Sequence, residues 1–491
     1  MLDMNRLDTA GPSHKATAAM PASSADAGTS TGLRLGLALG LVVAAQFVLQ
    51  LDFSIVNIAL PTIKRELHFA PANLQWIVTG YALTFGSLLL FGGRVGDRAG
   101  HRRVLLIGLA AFGVTSLVAG LSPTPLVLIA SRFAQGASGA FVAPQALAII
   151  TELFSEGPAR HRALGIFQGA TAAGASAGVV LGGVCTEFIG WRAVFLVNPP
   201  IIVALVIAIR RVLPSHSRRV GTRLDITGAI LASGSIALLI FGLSQGQQHG
   251  FTNAATLTAL ALAVLLGVTF VVFQGRAETP MLPRHVLTDP ARRAALVAML
   301  LFGPVVAGYV YFTSLYNQDV LHFSPLQAGL AFIPATATVM LTATQLTRRI
   351  PPRFGVRTIL LTGLSITGLG QVWLHTISNT GSYQVNVLGG IMVTAFGMGL
   401  SFPTISVAVT AGIGAGERGL AGGLFVTAQQ VGNAIGLAAL ATIAAAVTNA
   451  HHGSLVSGYK AAFLASIGLS VLAVLTVAIH MRTRAAPKGT A

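Results

Sequence analysis

Two ionisable side chains stand in stretches of sequence that are otherwise apolar. Asp52 lies deep between Arg34 and Lys64, in Leu51-Asp52-Phe-Ser-Ile-Val-Asn57-Ile-Ala-Leu-Pro61. Arg132 lies in Leu128-x-x-x-Arg132-x-x-Gln135-Gly136-x-x-Gly139-Ala140. In lipid a charged side chain costs about 2.5–3.5 kcal/mol on insertion scales, so an intramembrane acid marks a functional position by default. Low polarity favours the neutral carboxyl, and such an acid can load and release a proton near physiological pH. Pairing with Arg132 offsets part of both penalties, and protonation of Asp52 weakens the pair, which makes the two a coupling device. The plainer alternatives are an acid that only pins helices together and an arginine bonded statically to backbone carbonyls.

A second constellation is Gly93-Arg-Val-Gly-Asp97-Arg98-Ala-Gly100-His-Arg102-Arg103. An aspartate at a helix end can pair with nearby arginines or with a helix N-terminus, a contact that forms in one global state and breaks in another. Read without function, it is a basic loop that fixes topology. Further on, Gly174, Gly178 and Gly182 recur in steps of four, which puts them on one helix face where backbones can approach closely, and Gly183 stands beside them. Residues 174–178 also spell Gly-Ala-Ser-Ala-Gly, but a hydrolase elbow needs a strand before its turn, and Ser176 sits inside a long apolar helical run. The chain has no phosphate-binding loop and no Cys or His pairs at metal-ligand spacing. Neither a catalytic residue nor a metal site is expected, and the sole cysteine, Cys185, can form no intramolecular disulfide.

These residues need an apolar scaffold to position them, and the composition supplies one. Of 491 residues 53% are hydrophobic and 9% charged, with mean hydropathy +0.75, against about 25% charged in water-soluble chains. Long apolar runs predict transmembrane helices rather than the short alternating strands of a barrel. The predicted spans are 34–60, 74–93, 104–121, 125–150, 163–186, 193–213, 225–244, 254–274, 292–317, 325–347, 357–376, 384–411, 419–449 and 460–481. The fold class is therefore all-α and polytopic, with fourteen transmembrane helices. The net charge of +17 could mean nucleic acid, but the basic residues cluster between the spans. With an inside N-terminus, the outer loops hold only Lys64, Arg65, Arg192 and Lys460, and nearly all the other basic residues lie inside. Both termini are thus expected in the cytoplasm, with no nucleic-acid partner.

Residues 1–31, rich in Ala, Ser, Thr and Gly, are expected to form a disordered cytoplasmic tail, and 482–491 a second tail. No secretory leader is expected, because the first apolar run is too long for one. The basic loop around Gly100 is echoed by Arg349-Ile-Pro-Pro-Arg353-Phe-Gly355-Val-Arg357. The echo divides the chain into six-helix bundles at 32–213 and 292–481. Between them, residues 214–291 form a linker holding two extra spans, 225–244 and 254–274. Repeated halves around a midplane site are a common transporter plan.

The loop Gly93, Asp97, Arg98, Gly100, Arg102 and Arg103 resembles the signature of the major facilitator superfamily. The Asp52 segment, the Arg132 segment and the glycine face are similar to the first-, fourth- and fifth-helix motifs of its fourteen-helix drug:proton antiporter group. So are Gln75-Trp76 with Tyr81, Gly190-Trp191-Arg192 with Phe195 and Asn198-Pro199, and Gln318-Asp319-Val320-Leu321 followed by Ser324-Pro325-Leu326-Gln327-Ala328-Gly329. Together these cover nearly the whole chain. One departure is Val179, which follows Gly178 where that group places a proline.

The resemblance implies two bundles rocking about a central site, a multi-pass protein of the bacterial plasma membrane working as a monomer, and proton-driven export of small amphipathic compounds. The proton is the coupling ion, and no other cofactor is implied. Asp52 and Arg132 would couple the proton, and the Asp97 loop would gate. Gln46, Gln50 and Asn57 share a face of the first helix and, with Tyr81, Gln429, Gln430 and Asn433, are the expected substrate cavity. Asp52 points away from that face by helical arithmetic, and the same amides could simply join helices. With no second deep carboxylate, neutral or singly charged lipophilic substrates are expected rather than dications. A proton-coupled importer of the same fold is the alternative, left open by Val179. A membrane enzyme would need a polar catalytic cluster at one face, and a receptor a soluble output domain.

Overall fold

Backbone groups that cross lipid must pair within their own segment, and every regular element among the described residues is helical. The structure is a computed structural model that describes residues 24–69, 74, 76–213, 225–277, 280, 282–346, 354–414, 417–451 and 453–481. The first group comprises α1 (Ser24–Glu66), α2 (Trp76–Ala99), α3 (His101–Gly120), α4 (Pro125–Ala140), α5 (Ala143–Leu153), α6 (Pro158–Phe188), α7 (Ala193–Leu196) and α8 (Asn198–Val212). A hairpin follows, α9 (Ile226–His249) and α10 (Ala254–Gln274), then the short α11 (Arg284–Thr288). The last group comprises α12 (Pro290–Leu315), α13 (Pro325–Leu330), α14 (Ile333–Leu341), α15 (Val356–Leu374), α16 (Gly389–Thr410), α17 (Arg418–Ala450) and α18 (Leu455–His480).

Thirteen helices among the described residues are long and apolar enough to span a membrane. The further expected span, at 357–376, forms α15, but α15 is not among the thirteen. It carries Arg357 and Gln371 within 19 residues and packs between α16 and α18. The expected tail at 1–31 needs correction, because α1 already begins at Ser24. Extending an existing helix adds one hydrogen bond per residue and avoids the cost of a new nucleus; residues 1–23 and 482–491 lie outside the described residues. The span expected at 125–150 is two helices, tightened at Phe141 and Val142, whose amides bond Ser138 O and Gly139 O. Pro144, within the first turn of α5, has no N–H to continue the ladder from α4. Gln75, residues 214–224 and the Arg349–Arg353 part of the internal echo lie outside the described residues.

Contacts define the arrangement. In the first group α1 runs along α6, α2 along α4, and α3 against α4 and α8; in the last, α12 lies against α17 and α18, and α16 against α15. The groups meet where α2 and α5 touch α17 and where α6 touches α14 and α16. Helix α9 packs on α2 and α17 together, and α10 packs on α9. The hairpin closes over small residues: Ser235 Oγ donates to Ala263 O at 2.8 Å, and Gly267 lies opposite Ser235. The outer side of α10 exposes Val264, Leu265, Val268, Val271 and Val272, a surface suited to lipid.

One end of the molecule collects the junctions α2/α3, α5/α6, α11/α12 and α16/α17. They are cross-linked by Arg102 to Arg210 O at 2.7 Å, Arg94 to Pro280 O at 2.9 Å and Arg292 to Val409 O at 3.0 Å. We call this the arginine-rich end. At the opposite end Trp191 donates to Glu66 at 2.9 Å, and Tyr459 donates to Asp319 at 2.6 Å.

Candidate functional site

Asp52 is fully enclosed. It faces the interior of the first helix group, and three side chains donate to it. Arg132 Nη1 reaches Oδ2 at 2.7 Å, while Gln135 Nε2 and Asn198 Nδ2 reach Oδ1 at 2.8 and 2.7 Å. Arg132 is equally buried and forks: Nε donates to Ile77 O at 2.9 Å, and Nη1 also reaches Gln135 Oε1 at 2.7 Å. Arg132 is therefore bonded both to the acid and to a backbone carbonyl. Its guanidinium lies 4.4 Å from the centre of the Tyr81 ring and 5.8 Å from that of Phe195, a cation–π arrangement that suits a desolvated cation. Ser116 Oγ completes the cluster, accepting from Gln135 at 3.2 Å and Asn198 at 3.0 Å and donating to Phe195 O at 3.0 Å.

Local sequence explains this convergence. Arg132 and Gln135 are three residues apart, one turn of α4, so both reach the same side. Asn198 is held at the start of α8 by Pro199 and Pro200, which fit the first turn of a helix where an N–H is not needed. Asp52 follows Leu51, whose carbonyl lies against the glycine face of α6. A Cβ on Gly174, Gly178 or Gly182 would sit 2.7, 2.6 and 2.7 Å from the carbonyl oxygens of Phe47, Leu51 and Ile55. Real Cβ atoms do not come that close, so the glycines let α6 clamp the turns of α1 that carry the acid. Gly183 has a different role and faces Leu326 of α13.

At the arginine-rich end the aspartate of the basic loop crosses between the helix groups. Asp97 Oδ1 accepts from Gly419 N at 2.7 Å and Oδ2 from Leu420 N at 3.0 Å. Helix α17 has no side-chain cap of its own at Glu417, so Asp97 supplies from α2 the cap that its first turn lacks. Gly93 and Gly419 cross so closely that a Cβ on either would strike the other's carbonyl oxygen. Gly100, at φ 92°, makes the corner between α2 and α3 in a conformation that favours glycine. Arg102 bonds Arg210 O, whereas Arg98 and Arg103 are exposed. The turn between α16 and α17 is gripped a second time from α5/α6: Glu156 Oε1 accepts from Gly412 N at 2.9 Å, and Arg160 donates to Thr410 O at 3.4 Å.

The residues expected to line a cavity are placed differently from one another. Tyr81 is buried with its ring on Arg132, so it belongs to the wall of the acid site. Asn57 is exposed and folds its amide back onto Phe53 O at 3.2 Å. Gln50 lies against Gly174, and Gln430 lies across from Gly86. Asn433, with its amide oriented to donate, reaches Gly303 O at 2.8 Å and Gln429 O at 3.2 Å, joining α17 to α12. Gln46 is half-buried, with Oε1 enclosed and without a partner. Several participants were not singled out from sequence. Gln135 and Asn198 were visible only as members of motifs, and Ser116 carried no signal. His101, which bonds Gln145 Oε1 at 2.8 Å and lies 3.6 Å from Asp97, filled an unassigned position of the basic loop.

The profile of the Major Facilitator Superfamily matches residues 42–437 and 353–491. The cephamycin export protein CmcT of Amycolatopsis lactamdurans is 38% identical over 456 residues, 92% of this chain and 94% of that protein. The puromycin resistance protein pur8 of Streptomyces alboniger is 33% identical over 91% of this chain and 92% of its own length. Among solved structures, the human organic anion transporter MFSD10 superposes with a TM-score of 0.67 at 17% identity, covering 90% of this chain and 99% of that one. The proton:xylose symporter XylE gives 0.63 at 13% identity, covering 91% and 95%. These two likenesses concern the fold.

Proposed function

Since the chain belongs to the major facilitator superfamily and is a multi-pass membrane transporter, we propose that it is a proton-driven exporter of small amphipathic compounds that works by alternating access. The observation that carries this reading is the enclosed Asp52–Arg132 pair. A carboxylate held by three donors in a dry interior is stable only while the donors stay in place, and a proton replaces part of their work. The site faces away from the Gln46 side of α1, so proton and substrate need not share one pocket. Asp97 and Glu156 hold the two helix groups together at the arginine-rich end, and release of these contacts is the motion that alternation requires. One proton moving inward down 100 mV supplies about 2.3 kcal/mol, enough for tens-fold accumulation in the opposite direction.

The finer reading is a monomer in a bacterial plasma membrane, with fourteen spans, both termini cytoplasmic and the arginine-rich end inside. It handles neutral or singly charged lipophilic substrates, and the direction, export, accords with relatives named for antibiotic export and resistance. The test is export by purified protein in vesicles under an imposed pH gradient, compared with Asp52→Asn. Substrate-driven proton flux is expected in the wild type and none in the variant, and equal coupled export by both would remove Asp52 from the mechanism. Val179, in place of the related proline, packs against Gly329 of α13 and keeps the importer as the second reading. Proton flux in the same direction as the substrate would select it.

A further inference from the structure

The acid site contains one polar atom that its present arrangement does not use. Asn198 is fully buried; its Nδ2 serves Asp52 Oδ1 at 2.7 Å and Ser116 Oγ at 3.0 Å, while its Oδ1 is enclosed without a hydrogen-bond partner. Buried acceptors of this kind are uncommon and call for an explanation. The other groups around Asp52 are all committed. Arg132 can only donate, and Gln135 Oε1 already accepts from it. Ser116 Oγ accepts twice and gives its own hydrogen to Phe195 O. The titratable groups facing the acid are Arg132 and Tyr81, and Tyr81 presents its ring to the guanidinium.

The site is thus built for a carboxylate, which only accepts. Once protonated, Asp52 has an O–H that must donate, and each group now directed at it is a donor. We propose that Asn198 is a positioning residue for proton coupling: its side-chain amide turns over when Asp52 takes up a proton, and the spare Oδ1 accepts the new O–H. The inference rests on the reading of Asp52 as the proton carrier. In atoms, a proton joins Asp52 Oδ1, the one oxygen not held by Arg132. Rotation of the amide about its last side-chain bond then replaces Nδ2 by Oδ1 at the same place, with no displacement of the backbone. In exchange Nδ2 leaves Ser116 and takes the place where no acceptor stands. The protonated acid is therefore ill-suited to this conformer, which drives the protein toward the other.

The experiment is infrared difference spectroscopy of the full chain in lipid vesicles, between alkaline and acid pH, with and without ¹³C,¹⁵N-labelled asparagine. The expected result is a carboxyl band that is lost in Asp52→Asn, together with an asparagine side-chain amide change that shifts on labelling. That amide change disappears in Asn198→Leu, and there the carboxyl band moves to higher frequency as its O–H loses its acceptor. Because the chain holds ten asparagines, Asn198→Ser, smaller and still polar, is the second variant should the leucine variant fail to fold, and the label-sensitive amide change is expected to disappear there as well. An Asp52-dependent carboxyl band with no label-sensitive amide change overturns the role of Asn198 and leaves the proton reading standing. The absence of any Asp52-dependent band overturns both.

Discussion

Replacing Asp97 with alanine removes the cap that α17 lacks in its own sequence. Two bonds are lost, to Gly419 N at 2.7 Å and Leu420 N at 3.0 Å. Hydrogen bonds to an ionised group contribute about 1.5–3 kcal/mol each. At the lower figure, suited to a site near the end of the bundle, the pair amounts to about 3 kcal/mol. At 1.4 kcal/mol per factor of ten, the arrangement closed at the arginine-rich end loses on the order of 100-fold against any shape in which α2 and α17 are apart. Asp97→Asn keeps an acceptor oxygen but not the charge, and its expected effect is about half as large in free energy, roughly tenfold. The assay is double electron–electron resonance between spin labels at Arg211→Cys of α8 and Arg293→Cys of α12, both exposed, in a Cys185→Ser background. The long-distance population should rise from wild type to Asn to Ala. Identical distance distributions in all three would refute the cap as the latch.

Two further outcomes are expected. Gly178→Leu forces a side chain against Leu51 O and Ser54 Cβ, which stand 2.6 and 2.8 Å from the first added carbon. Overpacking of this kind costs about 1–3 kcal/mol or more, so both Tm and export should fall, whereas Gly183→Ala, whose nearest contact is Leu326 at 3.5 Å, should leave Tm unchanged. Arg132→Lys replaces a fork that holds Ile77 O, Asp52 and Gln135 with one ammonium that cannot span all three. Substrate-driven proton flux should drop at least about tenfold, that is, by about 1.4 kcal/mol of coupling or more, and wild-type flux in this variant would contradict the assigned geometry.

Asp52 and Arg132 were legible in the sequence because an ionisable group in an apolar run is expensive and needs a partner. The fold answered with each other. The steps of Gly174, Gly178 and Gly182 were legible through helix periodicity alone, but the helix that they face, α1, was not. The partners of the acid were less visible. Ser116 and Asn198 are neutral polar residues, which cost little in a helix and occur for many reasons, and only the crossing of α3 and α8 beside α1 shows that they share one pocket. Tyr81 was placed with the expected cavity, but the guanidinium of Arg132 lies over its ring face. Helix existence followed from hydropathy, while the break at Phe141 and Val142 depended on Pro144 and on local tightening that hydropathy does not register.

The hairpin of α9 and α10 makes the two sides of the molecule unequal. Helix α9 touches α2 and α17 at once: Phe241 stacks on Trp76 at 5.9 Å, and Ile240 fills the space at Gly86. Any parting of α2 from α17 has to peel α9 from one of them, uncovering apolar area at about 25 cal/mol per Å² unless acyl chains flow in behind it. On the other flank, α6 meets α14 and α16 without such a cover among the described residues. A hydrophobic guest dissolved in the bilayer therefore finds a shuttered wall on one side and an unshuttered joint on the other.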